Sequence, residues 1–246
     1  MKDCFGLCFE IMRYRYLFGC LILVWLLGIS IFGQQTVVIN DPTVEMKSAN
    51  ISSADENLIK TKVLPKARKK WIFKDSPCEE SFEVSGVAKG AFTKANSDQT
   101  LVFYAFCQTG NGLGNNGLVL IEDGKIIASY VSEGGWTEGI KALPDLNQNG
   151  LNEFALYYTG GMHQGQGGTG VDIIEFSGVN LKGIGWFNAE SFTETNDFGY
   201  KVTAKTGKPP VFYREKYTNK NEKWRKLGKL EPLKLTKIYS QFEALK

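Results

Sequence analysis

Oxygen-bearing side chains crowd into one short stretch of this 246-residue chain, Asp145-Leu146-Asn147-Gln148-Asn149-Gly150-Leu151-Asn152-Glu153. Counted from Asp145, carboxylate or carboxamide oxygens stand at positions 1, 3, 5 and 9, on Asp145, Asn147, Asn149 and Glu153. Gly150 holds position 6. Calcium is a hard cation that takes six to eight oxygens from a flexible loop, with glycine where the chain turns sharply and a backbone carbonyl among the ligands. Leu151, at position 7, would supply that carbonyl. The stretch is a candidate calcium loop, and calcium is the cofactor expected. Two carboxylates and two neutral carboxamides imply weak binding, about micromolar to millimolar. The competing reading is a plain polar turn, because Asn, Asp and Gly close turns without any metal.

A helix-flanked calcium loop needs a bidentate Glu at position 12. Position 12 is Leu156, inside the apolar run Phe154-Ala155-Leu156-Tyr157-Tyr158, which predicts a buried strand leaving the loop. A related arrangement occurs earlier. Ala91–Phe106 aligns with Ala142–Tyr157 without a gap, an offset of 51 residues, and both copies run through a Gly-rich loop into a strand and a turn. The repeats lie near 91–124 and 142–178, a period in the size range of β-propeller blades. In the earlier copy Lys94 aligns with Asp145 and Val102 with Glu153, a pattern that argues against calcium there.

Asp-Leu-Asn-Gln-Asn-Gly-Leu-Asn-Glu-Phe-Ala-Leu, followed by a Gly-rich loop and a strand, resembles the FG-GAP/VCBS repeat, the unit that builds the calcium-binding blades of integrin α-chain propellers. The resemblance implies a β-fold. It also implies that Asp145, Asn147, Asn149, the Leu151 carbonyl and Glu153 fall on metal positions. The family usually has Asp where Asn149 and Glu153 stand, and shows four to seven repeats. Two are evident in this chain, with a degenerate third near Val202 to Leu235.

The N-terminus predicts export. Tyr16 to Phe32 is almost wholly apolar, preceded by Arg13 and Arg15 and followed by Gly33-Gln34-Gln35. That is the pattern of a cleaved signal peptide over residues 1–33, with an uncleaved anchor at 16–32 as the alternative. The expected location is secreted, periplasmic or elsewhere in the cell envelope. Removing residues 1–33 takes three basic and two acidic residues, so the net charge falls from +3 to +2. Residues 34–70 are polar and aperiodic and read as a flexible leader. Residues 71–246 suffice for one domain with a core. Cys78 and Cys107 are the pair left after the first 33 residues and, in an exported chain, are expected to form a disulfide. With one histidine and no Cys-x-x-Cys, a Cys/His zinc site is not expected.

Short segments rich in β-branched and aromatic residues, separated by Gly, Asn and Asp turns, predict an all-β fold of blade-like antiparallel sheets, either a partial β-propeller or a sandwich-like array. Only the leader, around Asn57 to Leu64, hints at a helix. Gly165–Gly170 matches G-x-G-x-x-G literally but precedes a strand, so a dinucleotide site is not expected. Lys201 to Lys237 holds twelve basic and three acidic residues. Lys216, Lys220, Lys223, Arg225 and Lys226 are its anion-binding candidates, with lysines guarding a sheet edge as the plainer account. The expected partners are calcium and an extracellular protein or anionic glycan, not nucleic acid. Membrane contact is expected only through an uncleaved N-terminal segment. No nucleophile, base and orienting group can be assembled, which favours a non-catalytic binding module. The alternative is an envelope-polymer hydrolase using loop carboxylates such as Glu133, Glu138 and Asp145.

Overall fold

The computed structural model describes residues 34–47, 49–71, 81–109, 112–163, 166–193 and 197–246. The signal segment, Cys78 and Gly165 lie outside these residues. The fold below is that of the unit Thr36–Lys246.

Two antiparallel meanders form its centre. The first comprises β2 (Glu83–Gly90), β3 (Gln99–Thr109), β4 (Leu113–Glu122) and β5 (Lys125–Gly134). The second comprises β6 (Trp136–Ala142), β7 (Phe154–His163), β8 (Gln166–Ser177) and β9 (Asn180–Phe192). Each repeat expected from sequence thus falls within one four-stranded meander. The strands Leu101–Phe106 and Phe154–Tyr158 hold equivalent inner places, β3 between β2 and β4, and β7 between β6 and β8. Both are buried on both faces, from Leu101 through Cys107 and from Phe154 through Tyr158.

Alternation along the strands sorts the core into layers. Leu101, Phe103, Leu118 and Leu120 of the first sheet meet Ile140, Phe154, Leu156, Ile174 and Phe176 of the second. Phe92 sits edge-on to Phe154 at a centroid distance of 5.9 Å. The second sheet's other face carries Ala155, Tyr157, Val171 and Ile173. It is covered as the same sheet curls round through β10 (Asp197–Lys205) and β11 (Val211–Lys220), bringing Val202, Ala204 and Phe212 into the core. β1 (Thr36–Asn40) pairs with β10. β12 (Lys223–Lys226) and β13 (Glu231–Leu233) pair with β11. The expected third repeat at 202–235 therefore extends the second sheet and builds no separate blade. β14 (Glu243–Ala244) closes the edge of the first sheet against β5. Asp172, fully buried, accepts the backbone N–H groups of Tyr239 and Ser240 at 2.9 Å each and pins the tail that leads to it.

The leader differs most from expectation. Besides β1 it contains a helix, Ser53–Leu58, continuing through a π turn, Ile59–Val63, into Leu64–Trp71. The Ser52 side chain caps its start by accepting from Asp55 N, and Arg68, Lys69 and Lys70 occupy its last turn, where the helix dipole favours cations. Pro65 explains the π turn: it has no N–H to return to the Thr61 carbonyl, and its ring crowds that carbonyl. Ile59, Val63 and Ala67, four residues apart, form one buried stripe. They pack on Val102, Tyr104 and Phe106, the outer face of the first sheet. The apolar stripe is short and set among lysines, so composition alone reads as a linker. Cys107 is buried in the same layer.

A packed helix makes a sharp prediction. Ala67 is fully buried, so Ala67→Glu would place a carboxylate between helix and sheet. It should cost more than about 3 kcal/mol in urea unfolding. A loose leader would lose less than about 0.5 kcal/mol.

Candidate calcium loop

The loop between β6 and β7 is held by its own side chains. The Asp145 carboxylate accepts Asn149 N at 2.9 Å through one oxygen and Gly150 N at 2.7 Å through the other. Asn149 Oδ1 accepts Leu151 N at 2.8 Å. Gln148 and Gly150 both take positive φ, 58° and 91°, and the second is why position 6 is glycine. Gly207 N donates to Leu146 O at 2.8 Å and ties the loop to the turn between β10 and β11.

Glu153 closes the loop from below. It is 1% exposed, and its Oε2 accepts Leu146 N at 2.7 Å. Its Oε1 has no partner, nor has Asn147 Oδ1. Burial pushes the Glu153 carboxyl up to about 7, and the neighbouring Asp145 and Glu175 carboxylates add to the rise, against the hydrogen bond from Leu146. Two unpaired oxygens and a destabilised anion leave acceptor capacity in the loop that its own hydrogen bonds do not use. The residues present therefore fit a hard cation. Asp145, Asn147 and Glu153 keep oxygen lone pairs for it. Among the described residues no group of three His, Cys, Asp or Glu side chains could by itself hold a metal ion, so any cation would rely on carboxamide and backbone oxygens as well.

Two further residues escape the sequence pattern. Asn152 clamps the two loops together: its backbone N donates to Ala91 O, its Oδ1 accepts Ala91 N, and its Nδ2 donates to Leu143 O. Glu175, on β8, is 6% exposed. Its Oε2 accepts Asn147 Nδ2 at 2.7 Å and Asn149 Nδ2 at 3.1 Å, and its Oε1 accepts Lys182 Nζ at 2.6 Å. A strand residue 26 positions beyond Asn149 carries no local signal linking it to the loop.

The first loop shows what the second would be without charge. Gln99 Oε1 accepts Phe92 N, seven residues back, as Glu153 accepts Leu146 N, seven residues back. Gln99 also accepts Thr93 N and donates to Thr93 Oγ1. It is fully buried and bonded at both ends of its amide. The structural equivalence is thus Gln99 with Glu153, an offset of 54 residues in place of 51. The same offset matches Asn96, at φ 61°, with Gly150. It places Lys94 opposite Gln148, not opposite Asp145 as the gapless alignment has it. Ala91, Thr93 and Ala95 then occupy positions 1, 3 and 5, with no carboxylate among them.

The basic candidates divide. Lys220 and Lys223 flank the Asn221-Glu222 turn, where both residues take positive φ as a two-residue hairpin requires. They are exposed, as is Arg225. Lys216 Nζ lies over the Phe198 ring at 4.2 Å, and Lys226 pairs with Glu215. Glu133 and Glu138 are exposed on β5 and β6, and each Asp145 oxygen accepts one amide of its own loop. Among the described residues no helix is long and apolar enough to cross a membrane. Comparison with protein-family models, curated proteins and solved structures finds no match, so the FG-GAP/VCBS resemblance rests on the loop residues themselves.

The raised Glu153 pKa carries a stability signature. In chelator, the folded state holds a proton between about pH 4.5 and 7 that the unfolded chain releases, so stability falls as pH rises through that window, by about 3 kcal/mol at most. Glu153→Gln keeps the acceptor for Leu146 N and should flatten the profile and raise stability at pH 8. Identical slopes for parent and variant between pH 5 and 8 would contradict the assignment.

Proposed function

We propose that this chain is an exported, non-catalytic binding module in which calcium closes the loop Asp145–Glu153. The proposed ligands are Asp145, Asn147, Asn149, the Leu151 carbonyl and Glu153. The observation that carries the reading is the contrast between Gln99 and Glu153. The two side chains are isosteric and perform the same loop closure. One is neutral and bonded through both its oxygen and its nitrogen, and the other is a buried carboxylate with an unpartnered oxygen. A cation is the simplest compensation for that difference. The stiffened loop, clamped by Asn152 to its neighbour, would present a rigid edge to an envelope protein or glycan, with Lys220, Lys223 and Arg225 available to an anionic one. The proposed Cys78–Cys107 bridge would add a further tie to β3.

Calorimetric titration of the chelated protein with calcium chloride tests the reading. One site per chain is expected, with Kd between about 10⁻⁶ and 10⁻³ M, together with a rise in Tm that grows with calcium concentration. Absence of heat and of any Tm shift at millimolar calcium would contradict it.

A further inference from the structure

Resting on the calcium reading above, we infer that Glu175 is the positioning residue of the cation site, and that the Lys182 ammonium is its built-in counter-ion. The geometry turns on the two carboxamides. Glu175 Oε2 accepts Nδ2 of both Asn147 and Asn149. A carboxamide held by its nitrogen has its oxygen fixed at the other end of the same plane. For Asn147 that oxygen is buried and without a partner. A second orphan, Oε1 of the 1%-exposed Glu153, belongs to a carboxylate that feels both Asp145 and Glu175. The loop's unused oxygens and the strand's carboxylate thus belong to one polar cluster beside an open cleft of about 650 Å³, lined by Asn147, Asn149, Leu151, Glu175 and Lys182.

This accounts for asparagine at positions 3 and 5. An aspartate at either would set its carboxylate against Glu175 within hydrogen-bonding distance, a like-charge contact. Asparagine turns the same contact into a donor to Glu175 and, at Asn147, leaves an unpartnered oxygen for the cation. The third negative charge of the site is therefore placed on β8 instead of in the loop. Glu175 is itself balanced by Lys182, its cross-strand partner. The Lys182 side chain is 67% exposed, so it can swing into solvent when a divalent ion supplies the positive charge. The role of Glu175 is that of an outer carboxylate orienting ligands, the kind of group whose loss weakens metal binding by about 10- to 100-fold.

Calcium titrations of the full chain and four variants test the inference. Glu175→Gln should weaken calcium binding about tenfold or more. Lys182→Gln should strengthen it about threefold, because a competing cation is gone. A purely structural ion pair would lower Tm and leave calcium affinity unchanged. Asn149→Asp should weaken binding beside Glu175 but restore it in the Glu175→Gln background, where the repulsion is absent. Lys182 is on the surface, so its variant folds even if Glu175→Gln does not. Calcium binding by the parent with no change in Glu175→Gln or Lys182→Gln would overturn this inference and leave the calcium loop standing. No binding by the parent would overturn both.

Discussion

The inner faces of the two meanders cover one another, with Phe242 of the C-terminal tail packed against the same layer. Phe92, Leu101 and Phe103 from one side and Phe154, Leu156 and Phe176 from the other form a single aromatic and aliphatic layer. A lone four-stranded sheet would leave that face in water. Burial at roughly 25 cal/mol per Å² of apolar surface makes the stack, and not any one sheet, the stable unit. The helix Ser53–Trp71 and the curl of β10 and β11 then cover the two outer faces. Stacking the meanders also brings the loop before β3 beside the loop before β7, where Asn152 can bond to Ala91. The candidate site is thus a consequence of the core: its loop is anchored below by Leu146 and Phe154, both fully buried.

On that shared scaffold the two loops differ in the charge of the side chain that closes them, and in the oxygens they carry at positions 1, 3 and 5. Both use a side-chain oxygen to close seven residues of backbone on themselves. In the first, a neutral amide accepts Phe92 N and Thr93 N through its oxygen and donates to Thr93 Oγ1 through its nitrogen. In the second, a carboxylate of the same shape leaves an oxygen unused and carries a raised pKa. A protein under no other demand would lose little by replacing Glu153 with Gln. The cost of keeping the charge is physically sensible if the loop spends its working life with a cation in it.

Much of this was legible in the sequence because it is periodic or local. The strands Leu101–Phe106 and Phe154–Tyr158 announce themselves by unbroken apolar runs, and the loop by oxygens at fixed spacing. The helix was nearly invisible, since its buried face is four residues, Ile59, Val63, Leu64 and Ala67, set among lysines, and its Pro65 reads as a breaker. The gapless alignment erred by three residues because similar composition, Ala-x-x-x then polar then apolar, outweighs one Gln–Glu equivalence. In a strand, an odd slip exchanges the two faces, so only the hydrogen bonds of Gln99 and Glu153 reveal the true match. Lys234–Tyr239 forms no strand ladder, only a single bridge from Thr236 to Trp186. Its apolar residues serve instead to cover Gly183 and Gly185 through Ile238 and Leu235. Glu175 was beyond sequence reasoning altogether, because a strand carboxylate becomes part of a loop only through the fold.

Hydrogen exchange of the backbone amides, with calcium and with chelator, probes the central claim most directly, because the molecule contains its own control. Chelation should speed exchange at Asn149, Gly150 and Leu151, whose N–H groups are held by Asp145 and Asn149. The amides of Phe92 and Thr93, held by the neutral Gln99, should be unchanged. Equal responses in the two loops, or no response in either, would contradict the account.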